Sequence, residues 1–211
     1  MPHYPIDNSE IPIRLFKSDF LEFFTHITPQ AVVIIWLPFA GYMLGSGIVY
    51  RPADAAWGFI PLAFLIGLFL WTLTEYLLHR FVFHFPARGA RQERIAYLFH
   101  GIHHHQPQCK TRLVMPPVVS IPLSVIFYGL FSLILGLLGL PHWLGPMVSG
   151  FTIGYLTYDL THYATHHWPM RSAWAKYLKR YHMQHHYKTP DARYGVSSPL
   201  WDMVFGTKPK K

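Results

Sequence analysis

AWGFIPLAFLIGLFLWTLTEYLLHRFVFH, residues 56–84, is almost unbroken apolar sequence up to Glu75 and then closes on two histidines, His79 and His84. A helix that crosses the hydrocarbon core needs about 20 mostly apolar residues, so residues 56–78 read as a membrane span with a potential ligand pair at its end. Three further stretches meet or approach the same requirement: roughly 31–50, 118–140 and 143–163. The last is interrupted by Thr152, Thr157, Asp159 and His162, which leaves a buried polar helix as the alternative to a fourth span. Pro38, Pro61, Pro122 and Pro146 lie in or near these helices, where neighbouring groups can satisfy the backbone that proline frees.

Composition agrees with a membrane protein. Hydrophobic residues make up 51% of the 211 positions and charged residues only 13%, about half the share of an average soluble domain. The single cysteine, Cys109, excludes an intramolecular disulfide framework and a Cys-rich zinc module. No cleavable signal peptide is evident in the first 30 residues, which mix acids, bases and aromatics.

The formal charge of +8 could indicate a nucleic-acid partner, but the positions of the bases say otherwise. Two helical hairpins put the N-terminus, the central loop and the C-terminal tail on one face, and 17 of the 18 Lys and Arg residues then share it; only Arg51 falls opposite. The positive-inside rule makes that face cytoplasmic. The basic balance is topology and attraction to anionic headgroups, and no nucleic acid is needed. Residues 11–26 place Leu15, Phe16, Phe20, Phe23 and Phe24 at helical spacing among charges, as an interfacial helix would. Residues 172–187 interleave aromatics and bases in the same way.

Ten of the 15 histidines fall in four clusters. His79 and His84 form H-x4-H; His100, His103 and His104 form H-x2-HH; His162 and His166 form H-x3-H; His182, His185 and His186 form a second H-x2-HH. Each follows an even-numbered crossing, so all ten map to one face. On a helix, i, i+3 and i+4 share a side, so these imidazoles can converge on metal. The step from His79 to His84 does not keep one face, which predicts that the helix ends or unwinds over Arg80 to Phe85. Imidazole-only ligation suits iron, zinc, copper or nickel, and ten ligands exceed one ion. Structural zinc takes four ligands, so a pair of redox metals with positions open to oxygen is the better account. His3, His26, His105, His142 and His167 are read as non-ligands. Glu75 and Asp159 lie on the faces of His79 and His162. Intramembrane acids are usually functional, and the expected role is a hydrogen bond to the far nitrogen of a ligand, with a plain helix–helix bond as the alternative.

Four passages carry a resemblance to the fatty acid 2-hydroxylases of the fatty acid hydroxylase and sterol desaturase superfamily: EYLLHRFVFHF from Glu75, HGIHHHQPQCKTRLVMPP from His100, YDLTHYATHH from Tyr158 and KRYHMQHHYKTPDARYGVSSPLWDMVFGT from Lys179. The resemblance covers about residues 60–207, and the RLVMPP segment points to acyl 2-hydroxylases. It implies an all-α membrane protein, one domain over 1–211, with four transmembrane helices in two hairpins. An interfacial segment at 1–30 precedes them, and a cytosolic helical cap, 79–117 and 164–211, holds the dimetal site. It further implies two iron ions on the ten histidines, for which zinc can substitute in purified protein, and O2 as co-substrate. The product that the resemblance implies is a 2-hydroxy acyl lipid made from a long or very-long chain, free or within a sphingolipid. Cys109 departs from the Asp common at that position. No haem-binding HPGG segment occurs, so no haem is expected in this chain and electrons come from a separate donor, cytochrome b5-like or ferredoxin-like with its reductase, docked on bases such as Arg171, Lys176, Lys179 and Arg180.

The expected location is the endoplasmic reticulum in a eukaryote or the inner membrane in a bacterium. The competing readings are a sterol or carotenoid oxidase of the same superfamily, an inactive metal-binding membrane protein, and a metal transporter. Transporters place ligands at broken helices near the bilayer midplane, whereas these clusters sit at helix ends.

Overall fold

The computed structural model of the chain describes residues 5–209 and is all-helical. The expected non-ligand His3 and the terminal Lys210 and Lys211 lie outside the described residues. Four long helices carry the architecture: α2 (Pro29–Val49), α3 (Phe59–Leu77), α6 (Pro117–Leu137) and α7 (Leu144–His167). The remaining helices are short or peripheral: α1 (Asp19–Phe23), α4 (Ala90–Ala96), α5 (Ile102–His105), α8 (Ala173–Tyr187) and α9 (Leu200–Val204). Caps set several of the starts. The Thr28 side chain accepts from the Ala31 amide ahead of Pro29, and Ser172 accepts from Ala175 at the head of α8, which satisfies backbone donors left open by the first turn.

Among the described residues, three segments are long and apolar enough to cross a membrane: Pro29–Val49, Phe59–Phe83 and Lys110–Leu137. The chain is a membrane protein. The fourth expected span, α7, has the length, at 24 residues, but not the composition. Its burial explains why. α7 lies between α2 and α3, with most of its residues inside the bundle, so Thr152, Asp159 and His162 are buried against protein, while the exposed Thr157 returns its hydroxyl to the Ile153 carbonyl of its own helix. The approach is close because glycines line it: a Cβ on Gly150 would lie 1.9 Å from the Phe64 carbonyl oxygen, and one on Gly67 would lie 2.0 Å from that of Met147. Small residues at a helix crossing allow backbones to come this near. Trp71, Phe151, Tyr155 and Trp36 pack edge-on beside them.

Two sequence expectations change here. The helix does end within Arg80 to Phe85, at Phe83, but it does so by widening into a π-helix over Leu78–Phe83, and the His84 amide bonds the His79 carbonyl at 3.1 Å. In a turn closed five residues apart, His79 and His84 come to the same side. A second π turn, Tyr97–Gly101, carries His100. The helix expected over 11–26 is confined to Asp19–Phe23. The rest is an extended strap tied to the loop after α5: Gln106 binds Ile13, Asp7 and Ile11, and Arg112 binds Ile13 and Glu22. Phe20 and Phe23 remain 70% and 73% exposed on its outer side.

Candidate metal centre

All ten clustered histidines meet at one end of the bundle, in two groups of five. The first contains His79, His84, His100, His104 and His185; the second contains His103, His162, His166, His182 and His186. Each H-x2-HH motif is therefore divided. Adjacent residues on a helix point about 100° apart, so His100 and His104 turn to the first group while His103 turns to the second. On α8, His182 and His186 face the second group and His185 the first. The two groups abut where the His104 and His186 rings stack at 4.2 Å between centroids.

The donor atom is Nε2 throughout. In the second group Nε2 atoms run His162, His103, His186, His182, His166 at steps of 2.9, 2.9, 3.0 and 3.0 Å. In the first group His79, His104 and His100, and His84 with His185, approach at 3.1 Å. Nitrogens about 2.1 Å from a metal lie about 3.0 Å apart at a right angle and about 3.4 Å apart in a tetrahedron. Donor atoms this close, all within 4.8 Å of one another in each group, could hold a metal ion in each.

Protonation points the same way. Nδ1 of His79 lies 2.5 Å from the Tyr194 carbonyl and Nδ1 of His185 lies 2.7 Å from that of Ala192. A carbonyl only accepts, so Nδ1 carries the proton and Nε2 presents a lone pair. Burial first, then the neighbouring imidazoles, holds His84, His100, His103, His182, His185 and His186 well below the usual histidine range. They are neutral at pH 7, as metal ligation requires. Neutral lone pairs aimed at a shared centre repel unless a cation lies between them.

Glu75 and Asp159 are buried beside the site, but their oxygens go elsewhere than expected. Glu75 accepts from the Val196 and Ser197 amides at 2.7 and 2.8 Å and from Ser197 Oγ at 2.5 Å. Asp159 accepts from the Met115 amide at 3.1 Å. Each braces a loop that passes the site instead of binding an imidazole directly. Glu75 holds the loop whose Tyr194 carbonyl orients His79, so its connection to the ligand is one step longer than the sequence implied.

Sequence reasoning missed Asp202, which is fully buried and accepts from the Tyr194 and Gly195 amides at 2.9 and 2.8 Å and from Thr207 Oγ1 at 2.7 Å. Its one visible signal was an acid inside the apolar run LWDMV. Arg193, just before Tyr194, has a φ of 61°, a conformation that a non-glycine residue adopts only where its surroundings enforce it. Among the described residues, the expected non-ligands stay out of both groups. His26 bonds Thr111, His105 bonds Tyr97, His142 packs on Phe59 at the far end of the bundle, and His167 packs on Tyr163.

A cavity of about 280 Å3 opens beside the second group, from His100, His103 and His162 past Phe83 and Val114 to Phe24 and Val118. Its walls are predominantly apolar, with Arg112, Tyr158 and Asp159 among the polar exceptions.

Comparison with known proteins agrees with this geometry. The sequence profile described as fatty acid hydroxylase matches residues 64–207. A dihydroceramide fatty acyl 2-hydroxylase of Arabidopsis thaliana is 40% identical over 207 residues, covering 98% of this chain and 84% of that protein. The human fatty acid 2-hydroxylase is 34% identical over 226 residues, covering 97% of this chain and 58% of its own length. Among solved structures, full-length scs7p, of which only the hydroxylase domain is visible, superposes with a TM-score of 0.82 at 36% identity, covering 91% of this chain and 70% of that one. With a profile match across the histidine clusters and relatives matched along nearly the whole chain, this protein belongs to the fatty acid hydroxylase family.

Proposed function

We propose that the chain hydroxylates a long or very-long fatty acyl chain at C2, as a free acid or as the N-acyl chain of a sphingolipid, using O2 and a pair of irons. The observation that carries the reading is the apolar cavity that ends on His100, His103 and His162. It suits an acyl chain entering from the bilayer with one end at the histidines. The names of the relatives, acyl 2-hydroxylases from a plant and from human, favour C2 as the carbon presented.

Each histidine group would hold one iron; zinc would fit the same donors without redox activity. When bound, the iron pair supplies O2 activation: one oxygen atom enters the C2–H bond and the other leaves as water, consuming two electrons and two protons from a donor. The protein's part is position and exclusion of water. The apolar walls keep bulk water from the reacting carbon, and Tyr194 and Ala192 fix two ligands through their carbonyls.

In this reading α7 is the fourth membrane span, since 24 residues extend about 36 Å; Thr152, Asp159 and His162 face protein, and the exposed Thr157 bonds the Ile153 carbonyl of its own helix. The α4–α5 segment and the residues after α7 up to 209 form the cap on the cytoplasmic face, and residues 5–30 lie along the interface with Phe20 and Phe23 towards lipid. The donor is a separate cytochrome b5-like or ferredoxin-like protein with an acidic face, docked on Arg171, Lys176, Lys179 and Arg180.

The test is lipid mass spectrometry on cells expressing the wild type or His104→Ala with a suitable donor. Acyl species that gain one oxygen at C2 only in the wild type are expected. A wild type that holds two metals yet modifies only a sterol or carotenoid, or nothing, overturns the reading.

A further inference from the structure

A substrate that reacts at C2 extends away from the histidines in two directions. On one side is C1 with its carbonyl and whatever is joined to it; on the other is the rest of the acyl chain, apolar to its end. The cavity beside the second histidine group is small for both. Its volume of about 280 Å3 lies just under the range, about 300–1000 Å3, of sites that enclose a drug-sized ligand. A very-long acyl chain alone has about as many non-hydrogen atoms as such a ligand.

Two further spaces follow on from that cavity. Met115 stands in its wall and also in the wall of a void of about 30 Å3 lined by Trp71, Phe127 and Tyr155. Trp36 and Ser124 stand in the walls of this void and of a groove of about 400 Å3 between α2 and α6. Ile35, Phe39, Ile121 and Val125 make the groove apolar. It exists because α6 packs mainly on α7 and not along α2; of the 21 residues of α6, only Ser120, Phe131 and Leu135 are buried. Phe39 and Val125 lie about 15 and 12 Å along their helices from Pro29 and Pro117, no deeper than the middle of a hydrocarbon core about 30 Å thick. The groove therefore opens to lipid within the leaflet nearer the histidines.

We propose that the groove between α2 and α6 receives the distal part of the substrate's acyl chain, which runs from the histidines past Met115 while the C1 end stays in the metal-side cavity. The proposal rests on the acyl-hydroxylase reading and gives the tail a binding site within it. The void between cavity and groove has room for about one water-sized group, so a side chain there has to give way as the tail passes. Methionine, unbranched and adaptable, suits that position.

Two measurements test it. In the first, a tetracosanoyl amide with a photoreactive diazirine at its far end is bound to the purified full-length protein in lipid vesicles, without an electron donor so that no turnover occurs, and the labelled residues are mapped after irradiation. Label is expected at Ile35, Phe39, Ile121 or Val125, and is expected to disappear when unlabelled amide is added in excess. Label confined to Phe24 and Val118 would mean that the tail leaves by the outer end of the cavity. Label in the groove that the unlabelled amide does not displace would mean that a bilayer lipid fills it. Either result overturns the proposal.

In the second, kcat/KM is compared for tetracosanoyl and decanoyl substrates. Ser124→Trp puts a large ring into the wall shared by void and groove, and is expected to lower the ratio of long to short about tenfold, the worth of about two displaced methylenes. Ile126→Trp, on the exposed side of the same helix and outside the walls of the groove, should keep the wild-type ratio. An unchanged ratio in Ser124→Trp, or an equal fall in both variants, overturns the proposal. A wild type that hydroxylates no acyl chain overturns the parent reading instead, and the labelling still decides whether the groove binds the chain.

Discussion

The two histidine groups have the same number of donors but are held differently. In the first, His79 and His185 donate their Nδ1–H to the Tyr194 and Ala192 carbonyls, both in the loop between α8 and α9, while Nδ1 of His84 is buried without a partner. In the second, Nδ1 of His103, His166, His182 and His186 is buried without a partner. Orientation there comes from helix geometry: His162 and His166 sit one turn apart on α7, and His182 and His186 one turn apart on α8. The first group is thus tuned by a loop, whose carbonyls raise ligand basicity. The second is positioned by two packed helices. The difference implies that ions held by the two groups would be loosened separately.

The largest effect should come from ligands on one helix that serve different groups. His182 and His185 are both fully buried on α8, three residues apart. His182→Ala is expected to empty the second group and His185→Ala the first, each lowering metal from two ions per chain towards one and reducing hydroxylation to background. Metal analysis of purified protein checks this. If either variant empties both groups, the two are a single cooperative unit and the contrast fails. Next in size is a change that should ignore the contrast. Gly150→Ala sets a Cβ against the Phe64 carbonyl and pushes α3 from α7, which carry ligands of both groups. Overpacking of this kind destabilises by about 1–3 kcal/mol, so a lower Tm and weaker retention of both metals are expected. Gly41→Ala, whose Cβ meets nothing within 4 Å, should leave metal content unchanged.

These contrasts explain which parts of the protein were legible in the sequence. The three apolar spans and the ten histidines were readable because hydropathy and i, i+4 spacing are local properties. α7 was ambiguous because its polar residues say only that they avoid lipid, and whether they do so by leaving the membrane or by facing protein is decided by α2 and α3. The division of each H-x2-HH motif follows from helix rotation but is seen only once the other clusters are placed around it. The π-helix at His79–His84 was hidden for a related reason: five-residue spacing looks like a loss of register until the backbone widens to absorb it. Backbone carbonyls have no signature in sequence, so the supports from Tyr194 and Ala192 could not be anticipated. Glu75 and Asp159 stood out as buried acids, but their loop partners are 121 and 44 residues away.

Asp202 should separate the groups through the loop. Asp202→Ala leaves the Tyr194 and Gly195 amides and Thr207 Oγ1 without their acceptor. Each buried donor left unsatisfied costs about 1–3 kcal/mol. The strained φ at Arg193 would then relax, and the Tyr194 carbonyl would leave His79. Faster release of about one metal equivalent to a chelator is expected, with the second equivalent released at the wild-type rate. Equal acceleration of both would mean that the loop supports the whole cap and not one group.

Glu75→Gln offers the finest test because it changes charge but little shape. Oε1 of Glu75 takes both the Val196 and Ser197 amides, and a glutamine oxygen in that position can keep both. What changes is Oε2, which accepts from Ser197 Oγ; a side-chain amide there donates, and the hydroxyl can rotate to accept. The loop should therefore stay in place, and its hold on His79 should soften only through weaker hydrogen bonds once the anion is gone. Substituting an outer partner of a ligand typically lowers metal affinity about 10–100-fold. Glu75 acts through the loop and not on the imidazole itself, so a loss below about tenfold, confined to the first group, is expected. Chelator competition can isolate it in a His162→Ala/His182→Ala background, where only the first group retains its full donor set. A loss as large as that of Asp202→Ala would place the anion itself, and not the shape of the loop, in control of that metal.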